Sequence, residues 1–168
     1  MYGSNSLLPE VVRVQGGELP PRPVVHHDVA GAVCGDHLLL INLWGTWCGP
    51  CRVETPVLVN LQEEYGDQRF QVIGIAVRDD LEAVRAAIDE YGINYPVLFD
   101  DGSLSEAFGR ALPAGMIEGY PTNLYAGPGG EIRAVSTGAP SNPAFVERVF
   151  RGQVEYQLER VWERLEKR

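Results

Sequence analysis

The chain has 168 residues, 45% of them hydrophobic and 22% charged, which suits one globular domain with a core of its own rather than two. Fourteen basic against 23 acidic side chains leave a formal net charge of -9. That balance repels phosphate backbones and anionic lipid surfaces and argues against nucleic acid as a partner. No apolar run approaches the roughly 18 to 20 residues that a membrane-spanning helix needs.

Residues 1–24 are rich in Pro and Gly and read as an irregular lead-in, with a short strand over 11–14. No basic region followed by an apolar stretch opens the chain, so no signal segment is legible. Two readings stand: a cytosolic protein, or a chain whose targeting segment has been removed. Clear order begins at Leu38-Leu39-Leu40-Ile41-Asn42-Leu43-Trp44, an apolar run of strand length that fits a strand buried on both faces. A helix is expected over 49–65 from the spacing of Val53, Val57, Leu58 and Leu61, and a second strand over 70–77. Strand, helix and strand at this spacing form a βαβ unit with parallel strands.

Residues 80–91 read as a helix with Leu81, Val84, Ala87 and Ile88 on one face and Gly92 as its stop signal. A strand over 95–99 and a short helix over 103–108 follow. Residues 122–126, the turn Gly127-Pro128-Gly129-Gly130 and residues 131–136 make a β-hairpin. From Asn142 to the end the pattern is helical, with Gly152 as its weak point. The sum is an α/β chain with a central mixed sheet and helices on both faces, a βαβ half joined to a ββα half.

Three cysteines are too few for a disulfide framework, and two of them stand in Trp47-Cys48-Gly49-Pro50-Cys51. Two residues between cysteines allow a small disulfide only where the backbone bends tightly, as it does in the first turn of a helix. There the unpaired N–H groups and the helix dipole stabilise a thiolate. Cys48, nearer the exposed end, is the expected attacking sulfur and Cys51, a turn deeper, the resolving one, with exchange passing through a mixed disulfide on Cys48. Pro50 suits the first turn, where a missing N–H costs nothing. Trp47 is expected to shield the pair on its exposed side. Half a zinc site, completed by Cys34, His26 and His27, and a purely structural disulfide are the competing readings, although the three zinc candidates form no second closely spaced pair.

The run Ile41-Asn42-Leu43-Trp44-Gly45-Thr46-Trp47-Cys48-Gly49-Pro50-Cys51-Arg52-Val53-Glu54-Thr55-Pro56 closely resembles the TlpA/ResA/DsbE group of thioredoxin-like thiol–disulfide oxidoreductases, and the resemblance covers residues 35–150. It implies a thioredoxin fold and divides the chain into the lead-in over 1–24, a thioredoxin-like domain over 25–150 and a C-terminal helical extension over 151–168. It also implies a periplasmic or extracytoplasmic reductase, often membrane-anchored and serving cytochrome c maturation, with a cytoplasmic location as the alternative. The partners implied are protein disulfides or dithiols as substrates and a membrane or soluble thiol as electron donor. No cofactor or metal is implied beyond the redox-active disulfide, and membrane association would run only through a segment absent from this chain.

The resemblance assigns further residues. Pro121 falls where the group has its cis-proline opposite the CxxC, which would leave the backbone of Tyr120 free to pair with an extended substrate segment. The substrate surface would then comprise Trp47, Gly49, Pro50, Tyr120 and Pro121. Pro56 matches a helix-kinking proline. Glu54 matches the acidic residue of a Cys-x-x-Cys-x-x-Glu pattern and would exchange protons with Cys51 through a water, burial raising its pKa. A solvated helix carboxylate is the alternative. Cytosolic thioredoxin has a buried aspartate where this chain has Asn42, which cannot titrate, so a proton relay must use Glu54 or water. Gly49-Pro50 equals the thioredoxin dipeptide, which favours reduction over a disulfide oxidant or isomerase; a non-catalytic binding module is the remaining class.

Residues 110–119 form a longer approach to Pro121 than the group usually has, read either as a specificity loop or as a surface insertion. Cys34 is expected to pack as a small hydrophobe. Val154, Leu158, Val161 and Leu165 have a heptad-like 4-3-4 spacing, open to packing on the domain or to dimerisation.

Overall fold

The computed structural model describes residues 24–26, 37–100, 106, 110, 117, 119–128 and 131–167. Over these the chain runs β1 (Val24–His26), β2 (Leu38–Trp44), α1 (Gly49–Tyr65), a 3-10 turn (Gly66–Gln68), β3 (Phe70–Val77), α2 (Leu81–Tyr91), β4 (Val97–Asp100), β5 (Thr122–Ala126), β6 (Ile132–Thr137) and α3 (Pro143–Glu166). The six strands form one sheet in the order β1-β4-β3-β2-β5-β6. β2, β3 and β4 are parallel, while β1, β5 and β6 run antiparallel to their neighbours.

All seven residues of β2 are buried, as a central strand covered on both faces requires. Period-two alternation sorts its side chains. Leu38, Leu40 and Trp44 join Leu58 and Leu61 of α1, Val84 and Ile88 of α2, and Phe150, Val154 and Leu158 of α3 in the larger core. Leu39, Ile41 and Leu43 point the other way, into a second cluster with Ile73, Ile75 and Leu124, against which Ile117 and Val135 pack. Glu106 and Arg110 are also helical. The result is the expected thioredoxin arrangement, a mixed sheet with α1, α2 and α3 packed against it in the larger core.

Local chemistry sets the element ends. α2 starts where the Asp80 carboxylate accepts from the Ala83 N–H at 3.0 Å, and stops at Gly92, whose φ of 60° is the left-handed conformation glycine adopts freely. α3 is capped by Asn142, whose Oδ1 accepts from the Ala144 N–H at 3.0 Å. β4 begins at Val97 rather than at the expected residue 95, because Pro96 has no N–H to give the ladder and instead accepts from the Gly74 N–H.

The structure adds detail at both ends. A strand, β1, begins at the last residue of the lead-in, continues into the domain and pairs with β4; the expected strand over 11–14 and most of the helix over 103–108 lie outside the described residues. α3 runs unbroken through Gly152, because the helix is anchored on either side of it by buried Phe150 and Val154, which together outweigh the roughly 1 kcal/mol that glycine costs a helix. The residues after 151 are thus the second half of a helix begun earlier. Val154, Leu158 and Val161 are buried against the domain itself, which accounts for their spacing. Tyr65 at the end of α1 donates its hydroxyl proton to Glu155 at 2.7 Å and accepts from Arg151 at 3.1 Å, tying α1 to α3. Among the described residues no helix is long and apolar enough to cross a membrane.

Candidate active site

Cys48 and Cys51 are joined by a disulfide, with Cα atoms 5.3 Å apart, directly after β2. Cys48 is the N-cap of α1, and its Sγ accepts from the Cys51 N–H at 3.3 Å. An N–H aimed at the first sulfur, together with the helix N-terminus, favours a thiolate there once the bond opens. Both cysteines are buried, Cys48 at 5% exposure slightly less so than Cys51 at 1%. Gly49 and Pro50 flank them on the open side and are exposed.

The loop before the helix is tightly held. The Cys48 N–H closes a turn onto the Gly45 carbonyl at 3.1 Å. Asp79, just past β3, accepts from both the backbone N–H and the hydroxyl of Thr46, and Arg52 donates twice to the Thr46 carbonyl. Trp47 folds back so that its indole N–H reaches the Val77 carbonyl at 3.2 Å, while half its surface stays exposed. A Cβ on Gly45 would come within 2.5 Å of that indole, so glycine is required for the close approach. Trp47 also meets Tyr120 edge to face, ring centroids 5.5 Å apart.

The Tyr120–Pro121 peptide bond is cis. Around it the Gly119 carbonyl accepts from the Thr122 hydroxyl at 2.6 Å, and the Pro121 carbonyl accepts from the Gly138 N–H at 2.7 Å. Those two bonds fix the start of β5 against the end of β6. Trp47 and Tyr120, named separately from the sequence, are thus in contact, and Pro121 follows Tyr120 as a buried residue directly ahead of β5.

Behind the disulfide lies a polar cluster inside the core. Glu54, one turn beyond Cys51 on α1, is 1% exposed, which rules out the solvated alternative. Its Oε1 accepts from Asn42 Nδ2 at 2.8 Å and from Asn123 Nδ2 at 2.9 Å; its Oε2 is buried without a hydrogen-bond partner. Asn42 Nδ2 also donates to Asn123 Oδ1 at 2.9 Å, which closes the triangle. Burial pushes the Glu54 carboxyl up to about 8, against a smaller opposing pull from the Asn123 hydrogen bond. Tyr95 and Tyr125 are buried nearby, and both phenols are raised, first by burial and then by the Glu54 charge.

Sequence reading identified Glu54 and Asn42 but did not find Asn123 or Asp79. Asn123 was legible in principle. It alternates with Tyr125 along β5, and β5 pairs with β2 so that Asn123 stands directly opposite Asn42. Asp79 carried no such signal, since an acidic residue at a strand end before a helix looks like an ordinary cap. Of the zinc candidates, Cys34 and His27 lie outside the described residues, and only the backbone of His26 is described. The 110–119 loop is described only at Arg110, Ile117 and Gly119, of which Ile117 packs on the sheet.

A model of the Redoxin family matches residues 25–147. Thiol-disulfide oxidoreductase ResA of Bacillus subtilis is 30% identical over 100 residues, covering 60% of this chain and 52% of the relative. ResA of Halalkalibacterium halodurans is 32% identical over 101 residues, covering 60% and 53%. The chain therefore spans about half the length of the curated relatives it matches. A thiol:disulfide interchange protein of the thioredoxin family from Chlorobium tepidum TLS superposes with a TM-score of 0.60 at 31% identity, over 68% of this chain and 78% of that one. A family match across most of the sequence, with the same fold in that structure, places this chain in the Redoxin family, among the TlpA/ResA/DsbE-like members of the thioredoxin superfamily.

Proposed function

We propose that this chain is a thiol–disulfide oxidoreductase that reduces protein disulfides by cycling Cys48 and Cys51 between dithiol and disulfide. The observation that carries the reading is the disulfide at the α1 N-terminus with a buried carboxyl one turn behind it. In the reduced protein the Cys48 thiolate attacks a substrate disulfide and forms a mixed disulfide. Cys51, losing its proton to the Glu54 carboxylate, then attacks Cys48 Sγ and releases the substrate thiol. In the return half, a donor thiolate attacks Cys48 Sγ, the Cys48–Cys51 bond breaks, and the electron pair left on Cys51 takes the proton from Glu54. Trp47, Gly49, Pro50, Tyr120 and Pro121 form the surface on which an extended substrate segment rests.

The ResA and DsbE resemblance supports an extracytoplasmic setting, a membrane or soluble thiol as donor, and service in cytochrome c maturation. No cofactor beyond the disulfide enters this chemistry. Reduction of insulin disulfides by the wild type, abolished in Cys48→Ser, is the expected result, with Cys51→Ser accumulating mixed disulfides. Equilibration with glutathione should give a potential near that of thioredoxin, about -270 mV. A potential near that of DsbA would reverse the direction of electron flow, and insulin reduction that survives Cys48→Ser would overturn the assignment.

A further inference from the structure

Glu54 Oε1 carries two amide donors, one from β2 and one from β5, so both of its in-plane lone pairs are engaged. A proton on this carboxyl therefore resides on Oε2, which is buried and has no partner. The arrangement depends on a direct cross-strand pair: Asn42 and Asn123 face each other across the antiparallel β2–β5 ladder, and each holds the other's orientation through the Asn42 Nδ2 to Asn123 Oδ1 bond. Asn123 is two residues past Pro121, so the strand that opens at the substrate surface also supplies the donor to the buried carboxyl.

We propose that Asn123 is a positioning residue for the exchange reaction: with Asn42 it holds Oε1 as an acceptor, confines the proton of Glu54 to Oε2, and so presents Glu54 as the acid for the Cys51 sulfur. The inference rests on the redox function proposed above. The balanced step is the opening of the disulfide. A donor thiolate bonds to Cys48 Sγ, the Cys48–Cys51 bond breaks, and the departing pair on Cys51 takes the Oε2 proton, leaving Cys51 as a thiol and Glu54 as a carboxylate. The titratable groups that interact with Glu54 from other elements are Tyr95 ahead of β4 and Tyr125 on β5; β2 contributes the neutral Asn42, and Cys51 stands one turn before Glu54 on the same helix. Both phenols stay neutral in the range where Glu54 titrates, because burial and the Glu54 charge raise them. An amide that donates to a carboxylate favours the charged form, so removing it moves ionisation to higher pH.

The test is the rate at which dithiothreitol opens the Cys48–Cys51 disulfide, normalised to the dithiothreitol thiolate and followed against pH. In the wild type the normalised rate should fall as Glu54 ionises. In Asn123→Leu the falling limb should move up by about one pH unit, a tenfold change in the ionisation constant. In Glu54→Gln the limb should vanish, and adding Asn123→Leu to that background should change nothing further, a coupling that general loosening of the core would not produce. A limb that stays in place in Asn123→Leu, or a shift that persists without Glu54, overturns the proposal. Asn123→Ser, which also removes the amide donor, carries the same comparison and the same criteria where Asn123→Leu does not fold. Because a small dithiol replaces the protein substrate, failure of the parent function would appear separately, as a wild type that opens normally but does not reduce insulin.

Discussion

Replacing Glu54 by Gln should stabilise the oxidised protein, and increasingly so as the pH rises. The wild-type carboxyl is 1% exposed and has an ordinary value of 4.5 that burial raises to about 8. The folded state therefore holds the proton more tightly than the unfolded state does. Below about pH 4.5 both states are protonated and the group contributes no pH dependence. Between 4.5 and 8 the unfolded chain ionises first, so stability falls as pH rises, and above 8 the full penalty is in place. At about 1.4 kcal/mol per pH unit, the penalty is on the order of 3 kcal/mol at pH 7 and 5 kcal/mol at pH 9. Glutamine copies the protonated carboxyl: its amide oxygen can accept both asparagine bonds at the Oε1 position, and its NH2 takes the place of the Oε2 hydroxyl. It cannot ionise. Urea denaturation of the oxidised protein, with the remaining thiol blocked, at pH 5, 7 and 9 measures the difference directly. Near-coincident midpoints at pH 5 that diverge steadily toward pH 9, with Glu54→Gln the more stable, are expected. Curves that stay parallel across that range would refute the assignment of a buried, proton-retaining carboxyl.

Two other perturbations separate the loop before the disulfide from the core behind it. Asp79→Ala removes the acceptor for both the N–H and the hydroxyl of Thr46 and should cost on the order of 2 kcal/mol, read as a lower urea midpoint, with a lower rate of disulfide opening by dithiothreitol. Trp47→Ala should change stability by only about 1 kcal/mol, since the indole is half exposed, yet slow insulin reduction several-fold while leaving the reaction with dithiothreitol within twofold.

How far the sequence reaches depends on the range over which each feature is decided. The βαβ unit, the hairpin and the position of the CxxC pair are local: each rests on a run such as residues 38–44 or on a turn such as Gly127-Pro128, and each is found where the pattern puts it. Helix α1 matches its expected span because Pro50 and the Cys48 cap act within one turn. Features decided by distant parts of the chain were harder to read. β1 exists because β4 offers it an edge, and three residues of strand leave no pattern of their own. The partnership of Asn123 with Asn42 spans 81 positions and follows only once β5 is known to pair with β2 in that register. Whether Glu54 is buried or solvated was undecidable from its helical spacing, because the answer lies in the amides that the sheet brings beneath it.

Those amides also explain why a destabilising carboxyl can act as an acid at all. A lysine or arginine beneath Glu54 would satisfy it more strongly and hold it as a carboxylate across the physiological range, leaving no proton to give Cys51. An entirely apolar floor would leave both oxygens unpaired and raise the cost of burial further. Two neutral donors on one oxygen are an intermediate solution. They offset part of the desolvation, orient the group, and leave the proton on the other oxygen with ionisation at about 8, close enough to neutrality for loss and recovery within each redox cycle. On this reasoning the stability that Glu54→Gln gains and the rate of disulfide opening it loses have one cause, the proton on Glu54, and they move oppositely as the pH is raised: the stability gain grows while the rate deficit against the wild type shrinks as Glu54 ionises.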